Sequence, residues 1–291
     1  MTSSNTEAEI QRLEAIAKQK IKRRWYTVYA LRILVLVVVL GGWELGTMIK
    51  TGAEAKPLID PFFFSSPSEI AKQIWTWVTE GTSQGPLWEQ VLVTMEETII
   101  GFVIGAVLGV ICGIALGRNR MLADVFSVYI KVANSIPRVV LGSIFIIALG
   151  LGMASKVALA VVMVFFVVFA NAFQGVREAD RNLIANAHIL GASKRQITRK
   201  VVIPSAMSWI LASLHVSFGF ALVGAVVGEF LGSRQGVGLL ISTAQGAFNS
   251  AGVFAAMIVL AVMALLAEFI LTRIENALLK WRPPQFTEAT H

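Results

Sequence analysis

With 291 residues, 56% of them apolar and only 15% charged, the chain is too apolar for an ordinary soluble domain. Its apolar residues fall in long blocks. That excludes a soluble amphipathic bundle, and also a transmembrane barrel, whose strands alternate over about ten residues. The reading that remains is an all-α polytopic membrane protein, in which the net charge of +7 reflects topology and anionic headgroups and requires no nucleic acid partner.

A bilayer core of about 30 Å takes about 20 residues of helix. The first 32 residues are read as an N-terminal tail, with Lys18, Lys20, Lys22, Arg23 and Arg24 just before the first span, Ile33 to Ile49. No small-residue cleavage site follows, so this span reads as an uncleaved signal anchor. Phe62, Phe63, Phe64, Trp75, Trp77 and Trp88 then read as interfacial anchors. The second span is predicted over Thr98 to Leu116, with Glu96 and Glu97 just before it. Gly101, Gly105, Gly109, Gly113 and Gly117 recur along it every four residues, a smooth ridge on which a neighbouring backbone can lie. Cys112, the single cysteine, reads as a small packing residue within that span.

The third span, Val139 to Leu151 with its flanks, is preceded by Asn134-Ser135-Ile136-Pro137-Arg138. Asn134 and Ser135 read as helix-start residues. Arg138 either attracts an anion into a pathway or snorkels to headgroups. The fourth span is Val157 to Phe173. Between it and the fifth, Ser205 to Val227, lies a charged connection over 177–204. In it Asp180 caps a short helix, Gly191 ends that helix with φ > 0, and Ser193 with Gln196 opens a second helix through a capping box. Pro204 is expected to mark the break where this surface helix gives way to the spanning one. In the fifth span His215 and Ser217 are candidate hydrogen-bonding groups, with Glu229 near its end. Gly224, Gly228, Gly232 and Gly236 serve either packing or bending there. The sixth span is Ala251 to Leu271, and residues 283–291 form a C-terminal tail.

With both termini on the cytoplasmic side, the inner segments hold seven, four, six and three Lys/Arg, and the outer ones hold Lys50, Lys56, Lys72, Lys156 and Arg234. The positive-inside rule favours this 20-to-five division.

Ala185-Asn186-Ala187, three residues, Gly191, then Val201, Ile203 and Pro204 resemble the E-A-A, G, I-x-L-P loop of ABC importer permeases. The chain departs from that pattern in having Ala185 where the family has Glu and Asn186 where it has Ala. Phe64 to Ile70, Asn134 to Pro137, Leu183 to Pro204, and Ala221 to Leu231 with Glu229 look like the nitrate, sulfonate and taurine branch, over about residues 40 to 282. The resemblance implies a type I permease domain over 33–282 in a bacterial inner membrane, paired with a second copy of itself. It also implies two cytoplasmic ATP-binding cassette subunits, which carry the ATP and Mg, and an extracytoplasmic substrate-binding protein. Asn182, Ala185, Asn186, Ala187, His188, Gly191 and Pro204 would then be the ATPase-coupling residues. The aromatic outer segment is a second candidate contact for the binding protein.

The chain has no phosphate-binding loop and no H-E-x-x-H, and His188, His215 and His291 are scattered, so no catalytic residue, metal or cofactor is assigned to it. The expected function is passage of a small anion, such as a sulfonate, taurine or nitrate, by alternating access. Asn134, Arg138, His215, Ser217 and Glu229 are the candidate pathway residues. The same importer type serving a neutral vitamin or its precursor is the first alternative. A proton-coupled secondary transporter and a scaffold without transport are the others, although no midplane acidic cluster is evident for the former.

Overall fold

The computed structural model describes residues 3–51 and 56–278; the predicted C-terminal tail, 283–291, lies outside them. Contacts divide the chain into two compact units, 1–72 and 73–291.

In the first unit, α1 (Ser3–Met48) continues without a break from the basic segment into the first span. Its apolar part, Lys22–Met48, is long enough to cross a bilayer. A two-residue hairpin, β1 (Lys50–Thr51) with β2 (Lys56–Pro57), follows it. It brings Ile59 so close to Gly46 that a Cβ on the glycine would fall 2.6 Å from Ile59 Cδ1. Next comes α2 (Pro61–Phe64), capped by the Asp60 carboxylate, which accepts from Phe62 N at 2.9 Å. Glu44 accepts from Ser68 N (3.0 Å) and Ser68 Oγ (2.8 Å), tying α1 to the start of α3 (Pro67–Thr79). Phe62, Phe63 and Phe64 are exposed; in the part of α3 that belongs to the second unit Trp75 is exposed, whereas Trp77 is buried, so it packs and is not an interfacial anchor.

The second unit is built on α4 (Leu87–Arg118), α7 (Met153–Arg177) and α10 (Ile203–Leu231). The glycine ridge of α4 meets the small and β-branched positions Ala160, Val164, Val168, Ala172 and Val176 of α7, which recur at the same spacing of four. Where side chains are this small two backbones approach closely, and dispersion contacts replace the hydrophobic drive that lipid cannot supply. Gly224 and Gly228 of α10 continue the arrangement: a Cβ on Gly224 would lie 2.7 Å from Ala160 Cα. Within α10 the second glycine series, Gly224 and Gly228, therefore serves packing, and the helix is unbroken to Leu231, while Gly236, at φ +112°, lies in the turn beyond it.

Three boundaries differ from expectation. The second spanning helix begins at Leu87, eleven residues before Thr98. Its first turns carry Gln90, Thr94 and Glu97, polar residues that hydropathy places outside a span but that are buried against other helices. The third span is a broken pair, α5 (Arg120–Ser135) and α6 (Arg138–Leu149), bent by 86° at Ile136-Pro137. With 12 residues, α6 is about 18 Å long, too short to cross a bilayer by itself. Finally, the chain does not break before Pro204. The short α9 (Lys194–Ile197) runs through a π-helical turn, Thr198–Val202, into α10, and Ile203 keeps helical angles (φ −63°, ψ −47°). A π turn shifts the hydrogen-bond register, so the missing proline N–H falls where the ladder is already displaced and the helix tolerates it. The remaining elements are α8 (Arg181–Ile189), α11 (Val237–Gly246) and α12 (Ser250–Leu278).

Candidate functional site

At the junction of α7 and α10 the connection over 177–204 folds on a small core of its own. Ala172, Val176, Ala179, Ile197, Val202, Ala206 and Ile210 are buried there, with Ile184, Ala187, Ala192 and Val201 packed against them. Each end of α8 is fixed by local chemistry. Asp180 accepts from Asn182 N at 2.8 Å. At the other end Gly191, with φ +77°, donates to His188 O at 3.0 Å, and Ala192 N donates to Ala187 O at 3.0 Å. These are the two bonds of a Schellman motif, and Ala187 and Ala192 both pack against the buried core of the loop. Ser193 and Gln196 then form the capping box that opens α9. The sequence motif is thus, first, a set of devices that hold one nine-residue helix at a fixed angle on the end of the bundle.

The exposed face of α8 carries Asn182, Ala185, Asn186 and His188, while Ala187 turns inward. Leu183 (52% exposed), Ile189 (82%) and Leu190 (85%) also lie outward. Three large apolar side chains on a basic surface loop have no reason to face water unless something covers them. Motif matching to small residues and glycine passed over them. Their signal was present in the sequence as apolar positions outside the α8 face that Ile184 and Ala187 bury.

Of the five pathway candidates, Asn134 and Arg138 come together at the α5–α6 bend. There the Arg138 guanidinium donates to Asn134 Oδ1 and sits over the Phe166 ring, 5.1 Å from its centroid; Asn134 is exposed and Arg138 is half-buried. His215 meets Glu268 of α12 at 2.6 Å, partly exposed. Ser217 and Glu229 are fully buried. Ser217 donates to Ser213 O at 2.7 Å, closing a bond within its own helix.

Glu229 belongs to a buried polar cluster at the end of the bundle away from α8. Its Oε1 accepts from Thr94 Oγ1 (2.7 Å) and its Oε2 from Gly238 N (2.6 Å). Thr94 Oγ1 in turn accepts from Val237 N at 2.9 Å, and Gln90 Oε1 accepts from Gly236 N at 2.8 Å. The hydroxyl has one proton and two acceptors in reach, Glu229 Oε1 at 2.7 Å and Gln90 O at 3.0 Å; the bond to Glu229 is the shorter. Glu97 faces Glu229 and Lys156, and its Oε2 is buried without a hydrogen-bond partner among the described residues. Lys156 Nζ donates to Leu151 O (2.6 Å) and Gly152 O (3.1 Å). Charge counting alone puts Lys156 in a solvated outer segment; in the structure it is completely buried, its stem over Gly228.

The family described as "Binding-protein-dependent transport system inner membrane component" matches residues 105–280. A riboflavin transport system permease protein of Chloroflexus aurantiacus is 32% identical over 246 residues, 84% of this chain and 88% of its own length. A putative aliphatic sulfonates transport permease protein of Bacillus subtilis is 32% identical over 198 residues, covering 68% and 72% respectively. In fold, the chain resembles a chain from the inward-facing MetNI methionine ABC transporter, with a TM-score of 0.58 at 20% identity over 66% of this chain and 95% of that one.

Proposed function

From the premise that the chain belongs to the binding-protein-dependent inner-membrane transport components, as a multi-pass ABC importer permease subunit, we propose that α8 docks into ATPase subunits carried on separate chains. The observation that supports this reading is the face of α8: Leu183, Ile189 and Leu190 exposed on a helix whose angle is set by an N-cap, a Schellman motif and a capping box. Helix-in-groove recognition uses apolar anchors of this kind at i, i+3, i+4 or i+7 spacing, and Leu183 and Leu190 stand seven apart. ATP and Mg would be held by that partner, with α8 and α9 on the cytoplasmic side, both termini with them, and an extracytoplasmic binding protein delivering the substrate. A second copy of the chain would complete the conduit.

For the substrate, the half-buried Arg138 at the α5–α6 bend, held by Asn134 and Phe166, supports a small anion such as a sulfonate, taurine or nitrate. The relative named for riboflavin, matched over 84% of this chain, supports a second reading, a neutral vitamin or its precursor. In both, Asn134, Arg138 and His215 are the pathway candidates. Ser217 and Glu229, being fully buried, serve the bundle itself.

The test is uptake into proteoliposomes holding the permease, its ATPase and its binding protein. Labelled taurine and labelled riboflavin are supplied in separate arms, with ATP or a non-hydrolysable analogue inside. ATP-dependent uptake of taurine that is lost in Arg138→Gln supports the anion reading, and uptake of riboflavin alone supports the vitamin reading. Uptake driven by a proton gradient without ATP overturns the importer mechanism.

A further inference from the structure

Every helix begins with N–H groups that no residue of its own helix can accept. In most helices a Ser, Thr, Asp or Asn at the N-cap takes one of them. The N-cap of α11 is Gly236, which has no side chain. Its first three amide donors are taken instead by other helices: Gly236 N by Gln90 of α4, Val237 N by Thr94 of α4, and Gly238 N by Glu229 of α10.

The approach is as close as backbone allows. A Cβ on Gly236 would fall 2.2 Å from Glu229 Cδ, and one on Gly238 would fall 2.4 Å from Val226 O. Gly236 also holds φ at +112°, which L side chains resist. The buried Glu229 places an acceptor oxygen at the positive end of the α11 dipole.

The other end of α10 is joined without a break, through the π turn, to α9 beside the α8 loop. From Ile203 to Leu231, 29 residues, the helix is about 43 Å long. The last residues of α11 and the turn after it, 245–249, are exposed.

We propose that Gln90, Thr94 and Glu229 are positioning residues for transport. They cap α11 from α4 and α10, so that α10 carries α11 with it when the α8 end moves. The transport half of this statement rests on the importer reading; the anchoring half does not.

The experiment compares wild type, Thr94→Val and Thr94→Ser of the full-length protein in nanodiscs by amide hydrogen exchange, and in proteoliposomes with ATPase and binding protein by ATP-dependent uptake. Valine keeps the shape and removes the hydroxyl that both accepts from Val237 and donates to Glu229; serine restores it. In Thr94→Val, protection at residues 236–240 should fall about tenfold or more and uptake should fall with it, while exchange in α7 and membrane abundance stay as in wild type. Thr94→Ser should return both to within about twofold of wild type.

Uptake lost with protection at 236–240 unchanged overturns the proposal, and so does protection lost with uptake unchanged. Failure of Thr94→Ser to rescue shows that packing and not the hydroxyl matters, and overturns it as well. A wild type without ATP-dependent uptake overturns the importer reading and the transport half of the proposal together; the exchange arm then decides anchoring alone.

Discussion

Gly109 of α4 lies directly against Val168 of α7: a Cβ on the glycine would fall 2.9 Å from the valine's Cβ and 3.0 Å from the carbonyl oxygen of Phe165. Neither neighbour can yield without moving a helix, because one is backbone and the other is a β-branched side chain in the buried core.

Gly109→Leu should therefore cost about 1–3 kcal/mol or more of stability through overpacking. Ile111→Leu, two residues on and 59% exposed, should stay within about 0.5 kcal/mol of wild type. Thermal unfolding of both variants in one detergent checks this. Equal stability would mean that the α4–α7 contact tolerates separation and that the ridge does not set the packing.

The α8 face separates docking from folding. Ile189→Asp and Leu190→Asp alter side chains that are more than 80% exposed, so membrane abundance should hold while ATPase co-purification drops, as apolar anchors are lost from an interface. Ala187→Trp acts differently, because Ala187 packs against the buried core of the loop. It should lower stability by about 1–3 kcal/mol and reduce membrane abundance. Undiminished ATPase binding by both aspartate variants would remove docking from the functions of this loop.

Gly191 and Ser193 terminate and start consecutive helices, yet their substitutions should differ in size. Gly191→Val places a β-branched residue at φ +77°, a conformation costing about 1–2 kcal/mol even for less bulky residues. Ser193→Ala removes one side-chain cap, at about 1 kcal/mol. Exchange protection across 181–200 should report the order, valine variant below alanine variant below wild type. The reverse order would show that the Schellman geometry is not what holds α8.

Topology is checked with the single native cysteine removed. In a Cys112→Ser background, cysteine at Ser83 should label with a membrane-impermeant thiol reagent in intact cells, and cysteine at Ser4 only after permeabilisation. The opposite pattern would overturn the orientation read from the 20-to-five division of basic residues.

Membrane character, the helical class and the α4 glycine ridge were legible in the sequence because each is a local or periodic property: block length against bilayer thickness, and a smooth face every four residues. The caps at Asp180, Gly191 and Ser193 were legible for the same reason, since each acts within about five residues of itself. What the sequence could not reveal were relations between residues far apart in the chain. Thr94 and Glu229 are 135 positions apart, and Gln90 and Gly236 are 146 apart. Only packing α4 beside α10 turns them from polar interruptions of a hydropathy profile into the cap of α11. Lys156 and Glu97 were misplaced by the same limit: hydropathy scores a charged residue by its own transfer cost and so puts it at the surface, whereas tertiary structure supplies the buried carbonyls and opposing charges that let it stay inside.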